Sequence, residues 1–215
     1  MDIDFWKQVW EEQDIGFHKG EPNPVLVAYL KDLGLEAGNR IFLPLCGKTL
    51  DIGWLLSIGY RVVGVEVSEL AVKQLFQELK IEPTITESET FRHYVGTDID
   101  IFVGDIFKLS SETLGSVDAI YDRAALVALP TEMRQIYCAH LVEITHTARQ
   151  LLITFEYDQR LREGPPFSLD AVEINKHYHN NYHIALLESK AIPRKLKRPS
   201  ISNENVWLLT KRSEA

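Results

Sequence analysis

Apolar residues fall at helical spacing at the start of the chain and in short, near-continuous runs from residue 40 onward. Phe5, Trp6, Val9 and Trp10 recur three and four apart, which predicts an opening helix. GFHKGEPNP (16–24) breaks it with glycines and prolines. Asn23 before Pro24 reads as a cap with proline at the first helical position. Leu26, Tyr29, Leu30 and Leu33 supply the apolar stripe of the next helix, and Gly34 its stop. RIFLPL (40–45) and YRVVGVEV (60–67) read as buried strands. TLDIGWLLSIG (49–59) and SELAVKQLFQELK (68–80) read as helices, the second capped by Ser68. TFRHYVGTDIDIFVGDIF (90–107) predicts a hairpin turning at Gly96-Thr97, its second limb ending at Asp105. SVDAIYDR (116–123) and QLLITFEYD (150–158) are further strands. TEMRQIYCAHLVEI (131–144) and AVEINKHY (171–178) are helices, and YHIALLESK (182–190) and ENVWLLTKR (204–212) close the pattern as strands.

Strands alternating with helices predict an α/β fold: one mostly parallel sheet with helices on both faces, its last two strands paired as an antiparallel edge. The length, 215 residues, suits a single domain, with residues 1–35 as a helical cover and 36–215 as the core. The formal net charge of −8 argues against a general nucleic-acid partner, which needs a basic face. No run reaches the ~18 apolar residues of a membrane span. The opening MDIDFWKQVWEEQD shows neither a basic nor an apolar leader region, so no secretory signal is expected there. Cys46 and Cys138 form no CxxC pair, which suits a reducing cytoplasm and no thiolate metal site. Oligomeric state is left open, with a monomer as the default.

In open α/β sheets ligands bind outside the carboxyl ends of the strands. Those ends carry Leu45-Cys46-Gly47, Glu66, Asp105-Ile106, Asp122-Arg123 and Tyr157-Asp158. Glu66 closes an apolar strand 19 residues past Gly47, a spacing that suits a carboxylate accepting both hydroxyls of a ribose. A solvated strand-end acid is the plain alternative. Asp105 fits a group beside the adenine of that nucleoside, or a turn aspartate before a helix. PLCGK lacks the glycines of a dinucleotide loop and is no phosphate loop of the GxxxxGK[ST] type. Cys46 reads as a small buried group rather than a nucleophile. Phe17 and His18 stand in a loop that is either a lid or plain surface. His177, His179 and His183 lack the convergence a metal site needs.

GNRIFLPLCGKTLDIGWL, VVGVEVSELAV, YDRAALVALP, GPPF and the closing WLLTK occur in order along nearly the whole chain. Together they resemble the bacterial type of the thiopurine S-methyltransferase family. The resemblance implies the class I methyltransferase fold and S-adenosyl-L-methionine as methyl donor, with no metal. It implies a small-molecule acceptor: an aromatic or heterocyclic thiol, thiopurines among them, or a selenium or tellurium compound. By motif it places Trp10, Leu45, Glu66 and Ile106 at the donor, with Glu66 on the ribose and Ile106 at the adenine. Arg123 would lie between donor and acceptor as the catalytic residue. Phe17 would wall the acceptor, with Pro166 and Phe167 capping it. The segment from Lys190 to Asn205 is short beside animal members, which leaves acceptor contacts there open.

Methyl transfer from a sulfonium to a thiolate destroys two opposite charges, so a water-poor site favours it. Trp6, Trp10, Phe17, Trp54 and Phe167 could supply that shielding. No general base stands out; Asp14 is a candidate whose plain reading is a helix-end carboxylate. Two rivals remain at this stage: a nicotinamide-dependent oxidoreductase, disfavoured by the missing GxGxxG, and a non-catalytic nucleoside-binding protein.

Overall fold

The computed structural model describes residues 3–13, 15–16, 19–192 and 203–212. Phe17, His18 and Asp14 lie outside the described residues, as do residues 193–202. The chain divides into two compact units, residues 2–119 and 120–215.

The amino-terminal unit begins with α1 (Ile3–Glu11), of which Trp10 is buried, and α2 (Pro24–Tyr29). Asn23 caps α2 through Val25 N, and a short 3-10 turn, Leu30–Leu33, stops at Gly34 (φ 57), as the sequence predicts. β1 (Arg40–Pro44), α3 (Leu50–Ser57), β2 (Arg61–Glu66) and α4 (Glu69–Leu79) follow. Ser68 caps α4 by accepting from Ala71 N. Then come β3 (Thr84–Glu87), β4 (Arg92–Gly96), β5 (Ile99–Val103) and the short α5 (Ser111–Leu114). The strand order is β3-β4-β5-β2-β1. β1, β2 and β5 run parallel, and β4 returns antiparallel to β5. The apolar runs of β1 and β2 are buried almost throughout, as strands covered on both faces should be.

Two differences from the sequence expectation bear on the sheet. The hairpin turns one residue later, through Thr97-Asp98, because Asp98 takes the left-handed position (φ 59) and Gly96 stays paired with Ile99. A strand not foreseen, β3, adds to β4; all four of its residues are exposed, so it carries no apolar alternation to read.

The carboxy-terminal unit holds β6 (Ala119–Arg123), α6 (Thr131–Ile144), β7 (Arg149–Glu156), α7 (Ala171–Tyr178), β8 (Tyr182–Ala191) and β9 (Asn203–Lys211). Its strand order is β6-β7-β9-β8. β9 pairs antiparallel with both β7 and β8, the expected antiparallel edge, with an irregularity between Leu186 and Glu188. Among the described residues no helix is long and apolar enough to cross a membrane.

Candidate active site

At the end of β1 the chain turns sharply. Leu45 (φ 48) and Gly47 (φ 55) both take left-handed backbone, and Cys46 N donates to Val65 O at 3.1 Å. Gly47 is required there twice over. Its backbone disfavours a side chain, and an added Cβ would come within 2.7 Å of the Trp10 ring. Trp10, 2% exposed, therefore seats directly on the turn. Thr49 then caps α3, and the buried Asp51 in its first turn accepts from Asn23 N at 2.6 Å, tying α3 to the start of α2.

Glu66 ends β2 with its carboxylate buried. Oε2 accepts from Gly47 N at 2.8 Å and Oε1 from Ser68 N at 2.9 Å. Burial pushes this carboxyl up, while the amides of Ser68, Gly47 and Val67 pull it back toward the ionised form. Gly104 N donates to the carbonyl of Glu66, which joins the ends of β2 and β5. Asp105 caps the turn Ile106–Lys108 through Phe107 N at 3.1 Å, and Ile106 is fully buried. In this unit Trp10, Leu45 and Glu66 thus converge on one turn through Gly47. Cys46 is buried with Sγ resting over Gly64; burial raises its thiol pKa well above the ordinary value and the Glu66 charge adds to this. Such a thiol stays protonated, as the packing reading expects.

In the carboxy-terminal unit β6 ends on Asp122 and Arg123. Asp122 is fully buried: Oδ1 accepts from Leu126 N at 3.0 Å and Oδ2 from Tyr137 OH at 2.8 Å. Burial pushes its carboxyl up to about 6, against the pull of those donors. Ala124 (φ 61) then turns the chain into a 3-10 turn, Leu126–Ala128. Arg123 is half-buried, and its side chain has no hydrogen-bond or ion-pair partner among the described residues. Asp122 faces Leu126 and Tyr137, so Asp122 and Arg123 make no ion pair.

Pro166 and Phe167 lie half-buried in the loop before α7. Phe167 N donates to Val127 O at 2.6 Å, and Tyr157 OH donates to Pro166 O at 2.6 Å. Gly164 (φ 89) lets the Phe167 ring close on its backbone, where a Cβ would come within 2.6 Å of it. Arg134 places Cζ 5.3 Å from the centroid of that ring. Of the histidines, the His177 ring is buried 3.5 Å from Glu173, and burial lowers its pKa. His179 faces Asn175 O, and His183 is exposed. Among the described residues no three His, Cys, Asp or Glu side chains gather as a metal site.

The sequence reading missed Arg134, Glu173 and Tyr137. A charged or phenolic residue inside a helix is ordinarily assigned to solvent, and none of the three is flagged by a local motif.

Solved structures with this fold include S-adenosyl-L-methionine-dependent methyltransferases. Magnesium protoporphyrin IX methyltransferase from Synechocystis PCC 6803, with S-adenosylhomocysteine bound, superposes with a TM-score of 0.68 at 17% identity, covering 97% of each chain. The 1,6-didemethyltoxoflavin-N1-methyltransferase of Burkholderia thailandensis gives 0.66 at 16% identity, over 98% of this chain and 86% of its own. The fold is that of the class I methyltransferases. The family model for thiopurine S-methyltransferase matches residues 1–212, and the chain belongs to that family. Its relatives include the thiopurine S-methyltransferases of Teredinibacter turnerae, 48% identical over 98% of both chains, and of Acinetobacter baylyi, 47% identical over 98% of this chain and 99% of the other. Family membership sets aside the oxidoreductase and the non-catalytic readings.

Proposed function

We propose that this enzyme moves the methyl group of S-adenosyl-L-methionine to the sulfur of a small aromatic or heterocyclic thiol, thiopurines among them. Selenols and tellurium compounds are included as acceptors of the same soft, nucleophilic character. The observation that carries the reading is the near-half identity, along almost the full chain, to relatives named for that activity. All 215 residues are taken as one catalytic domain working in the cytoplasm, with a monomer as the default.

Glu66 suits the ribose because each carboxylate oxygen, although bonded to one backbone amide, keeps a second acceptor position. Trp10 and Leu45 shape the turn beside it, and Ile106, in the turn that Asp105 caps after β5, is assigned to the adenine. α1 and the loop after it, including Phe17, serve as a cover that excludes water. In the reaction the acceptor sulfur forms a bond to the methyl carbon as the donor's S–CH3 bond breaks. The products are the methyl thioether and S-adenosylhomocysteine, and a thiol acceptor releases its proton to solvent. Arg123, a permanent cation with no partner of its own among the described residues, holds the acceptor as its thiolate, with Phe17, Pro166 and Phe167 enclosing it. No enzyme nucleophile takes part, since methyl passes directly and positioning supplies much of the acceleration.

The test is transfer of labelled methyl from the donor to a panel of thiopurine, simple aromatic thiol, selenol and tellurite acceptors. Labelled thioether from a thiopurine supports the proposal. Donor binding without transfer to any sulfur acceptor overturns it.

A further inference from the structure

We propose that Arg134 is a positioning residue for the methyl acceptor, setting the ring of Phe167 through a guanidinium that is itself fixed from two sides. The proposal rests on the reading of Phe167 as an acceptor wall.

Arg134 lies in the first half of α6, only 3% exposed. Its Nε donates to Leu129 O at 2.8 Å, and a terminal nitrogen donates to Glu173 Oε1 at 2.6 Å. Glu173 is held in the first turn of α7, where its backbone N donates to the capping side chain of Asp170 at 2.8 Å. The guanidinium carbon then sits 5.3 Å from the centre of the Phe167 ring, within range of a cation–π contact.

Stability alone gives little reason for this arrangement. A buried ion pair gains roughly what desolvation costs, and an apolar residue of similar size would pack as well. What the charge adds is direction. The planar fork bonded to Leu129 and Glu173 has one orientation, and the ring beside it must meet that plane. The backbone of Gly164 restricts the ring further. Phe167 N also bonds Val127 O, and Val127 and Leu129 belong to the turn that follows Arg123. One buried cation therefore holds both the loop that carries the acceptor wall and the turn next to the catalytic arginine.

The experiment compares Arg134→Lys, Phe167→Leu and the double variant in the full chain with a thiopurine acceptor. It reads acceptor KM, kcat, donor Kd by calorimetry and Tm. Lysine keeps the charge and loses the fork. Arg134→Lys is expected to raise acceptor KM about five- to tenfold, with donor Kd and kcat little changed. The double variant should raise KM no more than Phe167→Leu alone, because both act through the ring. Additive effects on KM, or a lower Tm with KM unchanged, overturn the inference. Should Arg134→Lys fail to fold, Glu173→Gln weakens the same anchor and must show the same non-additivity with Phe167→Leu; additivity there overturns the inference equally. An unchanged KM in Phe167→Leu overturns the acceptor-wall reading itself and this inference with it. A KM shift in Phe167→Leu without one in Arg134→Lys removes only the role given to Arg134.

Discussion

Glu66 accepts a hydrogen bond at 2.8 Å from the backbone of Gly47, 19 residues earlier in the chain. One carboxylate thereby fixes the turn after β1 from the end of β2 and, in the proposed role, receives the donor's ribose. Glu66→Ala is expected to weaken donor binding about 10- to 100-fold and also to lower stability, because two buried amides lose their acceptor. Calorimetry and thermal melts measure the two effects separately. Unchanged donor affinity in a folded variant would remove Glu66 from the ribose.

Gly47→Ala tests the same turn from its other side. The new methyl group meets Trp10 and the backbone disfavours it, so a loss of about 2 kcal/mol or more is expected. Tryptophan fluorescence should shift as Trp10 is displaced. A variant with native melting and an unchanged spectrum would show that the contact yields freely.

Asp122 makes the protein sensitive to pH. Its folded carboxyl titrates near 6 against an ordinary 3.8, so the folded state binds the proton more tightly than the unfolded chain. The stability this provides is complete below about pH 4 and is lost as pH rises through about 6. Asp122→Asn should flatten that decline, and Tm measured from pH 4 to 7 reads it directly. An equally steep decline in the variant would assign the effect to another group.

Arg123→Lys keeps the charge but not the fork. Turnover is expected to fall about tenfold or more, with donor affinity and melting temperature nearly unchanged. An early-melting variant, or one with normal turnover, would make Arg123 a structural residue.

Cys46 offers a protonated, buried thiol, so Cys46→Ala should keep turnover within about twofold, as should exhaustive chelation of the native enzyme. Loss of activity in a folded Cys46→Ala variant, or on chelation, would require a thiol or metal step.

What could be read in the sequence was mostly local. The caps at Asn23 and Ser68 are set by side chains bonding amides two and three residues on, and both were legible. β1 and β2 announced themselves by continuous burial. β3 did not, because an exposed edge strand has no apolar face to show. The left-handed backbone at Leu45 and Ala124 was hidden, since these residue types disfavour it and only tertiary packing imposes it. Glu66 stood out by its position, yet its bonds to Gly47 and Ser68 depend on how two strands end beside each other. Arg134 was invisible for a related reason: its partners lie on α7 and in the turn before α6, and nothing in EMRQ marks a buried cation.

The seat of Trp10 on Gly47 bears on how variation in this protein would be felt inside a cell. A change at either residue disturbs folding before it reaches chemistry, and a partly unfolded chain is removed by chaperones and proteases. The deficiency would register as scarce enzyme rather than slow enzyme. Abundant donor, by binding only the folded form, would restore part of the missing amount.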